Sequence, residues 1–479
     1  MGNAFQLCSR RSFIGGIAAL GAVRPLASFA STEPLLRMGV LSDIHLQCKP
    51  GSERTFLKAL RYFRSRGADA VMIAGDIANT GRIAELKMCA DAWFSVFPND
   101  EGEDGRKVER LFVLGNHCVE AWKWGRQYTS PIKDEQARLA DALGYADNRR
   151  KAWRELFHEE FVPIWMKSVR GFTVIGAHWE KTGEGIGIEA FMKAHAKDID
   201  PAKPFFYVQH EHPKDTCFGP WAWGHDDGRS TRALSAFPNA VAFSGHSHYS
   251  LTDERTVWQG AFTSCNTASL YDFSMDYALR DNAPGNRFGY TGDKGRIRRM
   301  SNMQSSESRQ GQFLTVYADR IVIERRDFVS DLSLGDDFVL PLPLGSEKPC
   351  AFAPRCAARV APEFPNGAKA EVVEKKDDKS GMLYEISFPH AETRRKCRVF
   401  EYEVTATLVE DGVDLVQAQR RVIAPDFHLA DIPKCHRRGV CVIAAADLPL
   451  KGTYQFIVRP VECFGRKGAG IVSNLIAIP

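Results

Sequence analysis

The chain has 479 residues, 44% of them hydrophobic and 25% charged, which is the composition of a folded globular protein with room for more than one core. Of the formal charge of +4, three units are Arg10, Arg11 and Arg24 in the first 30 residues, which hold no acid, so the remainder stands at +1. A near-neutral chain lacks the basic footprint of nucleic-acid or anionic-membrane binding.

The chain starts with a basic pair in CSRRSFIGG, an apolar run from Phe13 to Val23, and then RPLASFAS. That run fits a signal-peptide core and is too short to span a bilayer. Ser28 and Ala30 supply small residues for cleavage after Ala30, and Ser-Arg-Arg-Ser-Phe-Ile resembles the twin-arginine export signal. The expectation is a signal peptide over residues 1–30 and a periplasmic or secreted protein. No later apolar run approaches the ~18 residues of a membrane span.

From residue 35 to 250 short apolar runs alternate with longer amphipathic ones. LLRMGVLS reads as a strand. Ser52 to Arg66 reads as a helix, with Phe56, Leu57, Leu60 and Phe63 at helical spacing and Ser52 as its cap. ADAVMIAG is a strand, GRIAELKMCADAWFSVF a helix and RLFVLG a strand; helical patterns fill 134–161, and GFTVIGAH, PFFYVQH and NAVAFSG are further strands. This alternation predicts a layered α/β domain.

After residue 250, TVWQGAFTSCNTASL, QFLTVYAD and RIVIERRDF read as strands, with a polar insertion over 272–310, and LPLPLGSEKP reads as a linker. LYEISF, FEYEVTATLV, GVDLVQAQRRVI, GVCVIAA and GTYQFIVRPVECF are short alternating strands. They predict a β-sandwich similar to fibronectin type III or immunoglobulin-like modules. The expected division is a signal peptide at 1–30, an α/β domain at 31–345 and a β-sandwich at 346–479. Eleven of the 12 cysteines follow residue 30. Neither Cys350/Cys356 nor Cys435/Cys441 has the C-x2-C spacing of a zinc knuckle, so packed thiols or one to two disulfides are expected.

Five strand ends carry metal-type donors: Ser42-Asp43-Ile44-His45, Gly75-Asp76-Ile77-Ala78-Asn79-Thr80-Gly81, Gly115-Asn116-His117, Gln209-His210-Glu211-His212 and Gly245-His246-Ser247-His248. In open α/β sheets ligands gather at the carboxyl ends of strands. Asp, Asn and His supply the oxygen and nitrogen donors that suit transition-metal cations, and glycine ahead of Asp76, Asn116 and His246 lets backbone approach a crowded site. A lone D-x-H or H-x-H arises easily by chance; five motifs in order, each at a strand end, predict a binuclear metal site. His178 ends another strand and is a weaker candidate for touching substrate. Trp221 and Trp223 read as core filler or as the wall of a substrate cleft.

The pattern D-x-H, G-D-x-x-x-x-G, G-N-H, H and G-H-x-H resembles the calcineurin-like metallophosphoesterase family over about residues 35 to 330, in particular its extracytoplasmic bacterial members. The resemblance implies a layered metallophosphoesterase β-sandwich flanked by helices. It also implies a hydrolase that cleaves a phosphate mono- or diester by attack of a metal-bridging hydroxide. Carried onto this chain, it assigns Asp43, His45 and His248 to one metal, Asn116, His210 and His246 to the second, and Asp76 to both. The two cations would be divalent or trivalent Fe, Mn or Zn, and His117 would assist the leaving group. His210 and His212 compete for one ligand place, because the family shows adjacent histidines before proline and Glu211 intervenes here; His210 lies nearer the strand end. Cys118 stands where the family commonly has an acid. The expected partner is a phosphoester substrate. The alternative is a non-catalytic extracytoplasmic binding or adhesion protein that works through its β-domain and keeps a structural metal site.

Overall fold

The computed structural model describes residues 33–47, 51–124, 132–179, 187–219, 222–273, 305–378, 381–392, 398–410, 413–430 and 437–479. The expected signal peptide and residues 274–304 of the expected insertion lie outside them.

Two six-stranded sheets face each other. In the first, β1 (Leu36–Leu41), β2 (Ala70–Ala74) and β3 (Glu109–Val113) run parallel. On the other side of β1 follow antiparallel β10 (Gln310–Val316), β11 (Arg320–Asp327) and β12 (Phe338–Pro341). The second sheet has the order β4 (Ile164–Val169), β5 (Phe172–Ala177), β6 (Phe205–Val208), β7 (Ala240–Ser244), β9 (Thr263–Asn266), β8 (Val257–Gln259). Its four inner strands are parallel.

One core lies between the sheets, with Met38, Val40, Met72 and Val113 from the first meeting Val174, Phe206, Val208, Val241 and Phe243 from the second. The outer face of the first sheet is covered by α1 (Ser52–Ser65) and α2 (Ile83–Val96), the outer face of the second by the helices Ile188–Ala194 and Arg229–Leu234. In α1, Phe56, Ala59, Leu60 and Phe63 form the buried face, each Phe or Leu contributing about 1.5–3 kcal/mol of burial. The result is a helix–sheet–sheet–helix sandwich, the layered architecture expected from the sequence.

Two local expectations change, and one strand is added that the sequence did not signal. Gly51, in the left-handed conformation, precedes α1, and Ser52 makes no side-chain cap. The strand β4 pairs with β5 as a hairpin that the polar and apolar mixture of IWMKSV conceals. LPLPLGSEKP is not a free linker: Leu340 and Pro341 end β12, and Leu344 and the following Cys350 are buried in the core between the sheets. Alternation of Leu with Pro marks an edge strand here.

The C-terminal part is all β apart from short helical turns. Antiparallel β13 (Glu371–Asp377), β14 (Gly381–Phe388) and β17 (Gly439–Ala444) form one sheet. Antiparallel β16 (Val413–Ile423), β15 (Val399–Glu410), β18 (Gly452–Glu462) and β19 (Ile471–Val472) form the other, with β20 (Ile476–Ile478) also on β18. Tyr384, Ile386, Val404, Phe456 and Val458 fill the space between them, and that core runs on without a break to Phe218, Tyr249, Leu251 and Phe273 of the α/β part. All eight cysteines among the described residues are free thiols, as packed cysteines would be.

Candidate metal centre

Every strand end singled out in the sequence arrives at one edge of the α/β sandwich. Asp43 and His45 follow β1, Asp76 follows β2 and Asn116 follows β3; His210 follows β6, and His246 and His248 follow β7. The first sheet therefore supplies four of the donors and the second supplies three. The chains after β1 and β2 stay in register: Asp43 N–H donates to the Gly75 carbonyl at 3.1 Å, and Ile44 and His45 N–H to the Asp76 carbonyl at 2.9 and 3.0 Å.

Five of these seven residues hold left-handed backbone: Asp43 (φ 51°), His45 (47°), Asp76 (46°), His246 (67°) and His248 (53°). Such positions cost on the order of 1–3 kcal/mol each and persist where surrounding structure over-determines them, as at functional sites. Glycine makes room for the crowding. Gly75 has φ 97°, and a Cβ there would stand 2.2 Å from His210 Nδ1; one on Gly245 would stand 1.8 Å from Ser42 Oγ and 2.3 Å from Asp43 Oδ2.

The donors form three overlapping groups whose facing atoms lie within 4.8 Å of one another: Asp43, His45 and His248; Asp76, His210 and His246; and His45, Asp76 and His117. His210 Nε2 lies 3.0 Å from Asp76 Oδ2 and 3.0 Å from Asn116 Oδ1, and 3.1 Å from His246 Nδ1. His248 Nε2 lies 3.0 Å from Asp43 Oδ1 and 3.3 Å from His45 Nε2. Asp76 reaches both sides, with Oδ2 also 3.7 Å from His45 Nε2 and Oδ1 accepting the His117 N–H at 2.9 Å.

Outer partners fix the rings. His248 Nδ1–H donates to Asp272 Oδ1 at 2.7 Å, His210 Nδ1–H to the Ala74 carbonyl at 2.8 Å and His45 Nδ1–H to Asn79 Oδ1 at 3.1 Å. Carboxylate and carbonyl only accept, so each neutral imidazole turns the Nε2 lone pair inward. In that neutral form the lone pairs face one another and a buried Asp43 Oδ1 that receives no hydrogen bond, so the site draws in positive charge, whether as cations or as protons on His210 and His248. Lone pairs in a dry site repel unless positive charge lies among them. The donor set thus fits cations, and its N/O chemistry suits Zn, Mn or Fe.

The ionisation preferences follow from the same shortage of positive charge. Burial opposes ionisation of Asp43, yet His248 above all holds its carboxyl well below the usual range. Burial equally opposes a charged His210, but the Asp76 and Asp43 carboxylates push it up to about 9. His246 is pulled down to about 3 by burial and by the charge on His210.

His117 stands beside His45 and Asp76 in the third of these groups; its Nδ1–H donates to the Asn79 carbonyl at 2.9 Å, and burial lowers the ring to about 4. Asn79 therefore orients both His45 and His117. Cys118 is fully buried and its sulfur accepts the Ala78 N–H at 3.4 Å. His212 stays out of the cluster, held between Ser244 Oγ and Ser247 Oγ at 2.7 Å each. His178 accepts the Leu114 N–H at 3.0 Å and packs against Trp153 and Phe161, so it is a core histidine.

Aromatic rings surround the cluster. Trp223 stacks on His246 with centroids 4.5 Å apart, Trp124 meets His117 edge-on at 4.7 Å, and Tyr271 lies 4.8 Å from His45. Trp223 is thus a wall of the site, one of the two roles open to it from sequence; Trp221 lies outside the described residues. Asn79, Asp272, Trp124 and Tyr271 escaped sequence reasoning. Asn79 lies inside a quoted motif and its spacing from Asp76 was the available signal; Asp272 and Tyr271 had none.

Residues 36–250 match the family model of the calcineurin-like phosphoesterases. That region belongs to the calcineurin-like phosphoesterase family. The family is one of phosphoester hydrolases and implies a dimetal centre, and the His/Asp cluster lies where its motifs end. A dimetal phosphatase from Danio rerio is similar over 64% of this chain and 99% of its own, at 10% identity and a TM-score of 0.37. Purple acid phosphatase from yellow lupin (Lupinus luteus) seeds is similar over 65% of this chain and 55% of its own, at 14% identity and a TM-score of 0.39. The anchor protein GAP50 of the Plasmodium inner membrane complex is similar over 65% and 90%, at 11% identity and a TM-score of 0.37. No curated protein matches the chain.

Proposed function

We propose that the strand-end cluster is a binuclear metal centre and that the protein hydrolyses a phosphate mono- or diester. The observation that carries this reading is the inward convergence of the His45, His210 and His248 Nε2 atoms on two buried carboxylates, one with an unpaired oxygen. Asp43, His45 and His248 would hold one cation and Asn116, His210 and His246 the other, with Asp76 shared because its Oδ2 faces both groups. His246 and His248 thus serve different cations, although only Ser247 separates them. When bound, the two cations clamp phosphoryl oxygens and acidify a water for attack.

The protein's own groups set the rest. The Asp43 and Asp76 carboxylates give the site negative charge to balance cations; outer hydrogen bonds lock three imidazoles in one tautomer; and the walls of Trp223, Trp124 and Tyr271 limit water. With its Nδ1 proton committed to Asn79, the neutral His117 presents Nε2 as the atom that would take up a proton and pass it to the leaving oxygen. The twin-arginine-type signal at 1–30 makes the enzyme an exported one, with its phosphoesterase domain at 31–345 and its β-sandwich domain at 346–479. Among the described residues no helix is long and apolar enough to cross a membrane.

Metal analysis of the purified protein, followed by turnover of p-nitrophenyl phosphate and bis-p-nitrophenyl phosphate with added Mn, Zn or Fe, tests this. About two metals per chain and cleavage of at least one ester are expected. A metal-replete protein inert toward monoesters, diesters, pyrophosphates and phospholipid headgroups would sink the enzyme reading and leave a binding protein with a structural metal site.

A further inference from the structure

One short segment touches every member of a single donor group. Ser269 Oγ donates to the Asp43 carbonyl at 3.2 Å and accepts the N–H of Tyr271 at 2.9 Å and of Asp272 at 3.2 Å. Leu270 N–H donates to the Ser42 carbonyl at 3.2 Å. The Tyr271 ring lies 4.8 Å from His45, and Asp272 Oδ1 takes the His248 Nδ1 proton at 2.7 Å. So Ser269–Asp272 cradles Asp43, His45 and His248. The other group is lined differently, His246 by Trp223 and Trp179, and His210 by Trp179 and the Ala74 carbonyl.

The segment is itself clamped at its far end. Phe273 is buried in the core that the C-terminal sandwich shares with the α/β part, 5.7 Å from the His428 ring. Nearby, Gln310 Nε2 donates to the His428 carbonyl at 2.8 Å and Arg398 to the Leu334 carbonyl at 3.2 Å. Arg437 forms a two-point ion pair with Glu307 at 2.7 and 2.8 Å. At the near end Ala268, fully buried, holds φ 59°, a conformation that alanine adopts only under constraint.

We infer that Ser269–Phe273 is a strut through which the C-terminal β-sandwich positions the Asp43/His45/His248 subsite, with Asp272 as the positioning residue that sets the tautomer and direction of His248. The inference rests on the binuclear reading above. Carboxylate partners of ligating histidines typically contribute 10–100-fold in metal affinity. An aligned His248 Nε2 requires Asp272 in place, and Asp272 stays in place because the next side chain is anchored in another domain.

The test is titration of the metal-stripped full-length protein with Co(II), read from visible d–d absorption and metal content. The wild type is expected to fill two sites. Asp272→Ala should weaken one of them about 10–100-fold and leave the other unchanged, and Asp272→Asn, which keeps an acceptor, should recover part of the loss. Phe273→Leu, chosen to limit the cavity, should weaken the same site by a smaller factor while the protein still unfolds cooperatively. A wild-type titration and spectrum from Asp272→Ala, or equal loss at both sites, overturns the inference; so does a Phe273→Leu protein with both affinities intact. These outcomes are independent of the phosphoesterase reading, which fails instead if the wild type fills two sites and turns over no phosphoester.

Discussion

The molecule contains two sandwiches of β-sheet built to opposite ends. In the α/β sandwich the central strands are parallel and buried along their whole length, as in β2 and β7, so polar chemistry is driven to the strand ends. There it gathers two carboxylates, an amide and four ligand-type imidazoles, five of the seven on strained backbone. In the C-terminal sandwich the strands are antiparallel and longer, 12 residues in β15 and 11 in β18. Among the described residues it contains no group of His, Cys, Asp and Glu able to hold a metal. One sandwich concentrates strain and charge at an edge, and the other supplies an ordinary core that continues beneath that edge. Placing reactive groups on a rigid scaffold and bracing them from a second body achieves what neither sheet system does alone.

The sharpest way to break this contrast is to remove charge from the reactive edge. Asp76→Asn takes away the carboxylate that faces both donor groups. It should cost at least about 10²–10³ in kcat/KM, the scale of losing one preorganised electrostatic contact, and most of the bound metal. Retention of both activity and metal would rule out the shared role. His117→Ala should behave differently, keeping both metals and lowering kcat about 10²–10⁴-fold. Loss of metal in that variant would make His117 a ligand, as its place beside His45 and Asp76 in the third donor group allows.

The difference between the two sandwiches also explains what was legible in the sequence. Strand-end motifs in chain order named the seven residues that the structure brings to one edge, because each motif is local: Asp43 and His45 are two residues apart, as are His246 and His248. Nearness to the strand end favoured His210 over His212 in the sequence; what holds His212 elsewhere was not legible, since Ser244 and Ser247 engage it only after β6 and β7 are neighbours. Asp272 was invisible for the same reason; it lies 24 residues from His248 and no spacing rule joins them. The left-handed backbone at the site was equally hidden, because Asp and His give no local demand for it. In the C-terminal region the alternating strands were readable, whereas β13, whose EVVEKKD is mostly exposed, and the two-residue β19 were not.

A packing change in the quiet sandwich tests whether the two are one cooperative body. Phe456 of β18 is fully buried in the core that continues to Tyr249 and Leu251 near the metal centre. Phe456→Ala should cost about 3–5 kcal/mol. Because the core is continuous, calorimetry should show one transition moved to lower temperature. Two transitions, with only one displaced, would show that the sandwiches unfold independently and would weaken the case for bracing.

The smallest effect concerns Glu401, one of several charged residues buried in the C-terminal sandwich. Both of its carboxyl oxygens are buried without a hydrogen-bond partner. Burial pushes the acid up to about 7, helped by Glu403 and opposed by Arg421 of β16, by Arg255 of the α/β part and by Lys467. In the unfolded chain the group ionises near 4.5, so between these values the folded state binds the extra proton. Stability from this group is therefore fully present below about 4.5 and is lost as pH rises to about 7, by up to about 3 kcal/mol. Glu401→Gln cannot ionise. Its denaturation midpoint should gain on the wild type steadily from pH 5 to pH 7 and then run parallel to it. Curves parallel throughout would mean that the surrounding guanidinium groups keep Glu401 charged in the fold, and that the second sandwich, like the first, tolerates buried negative charge only by answering it with positive charge.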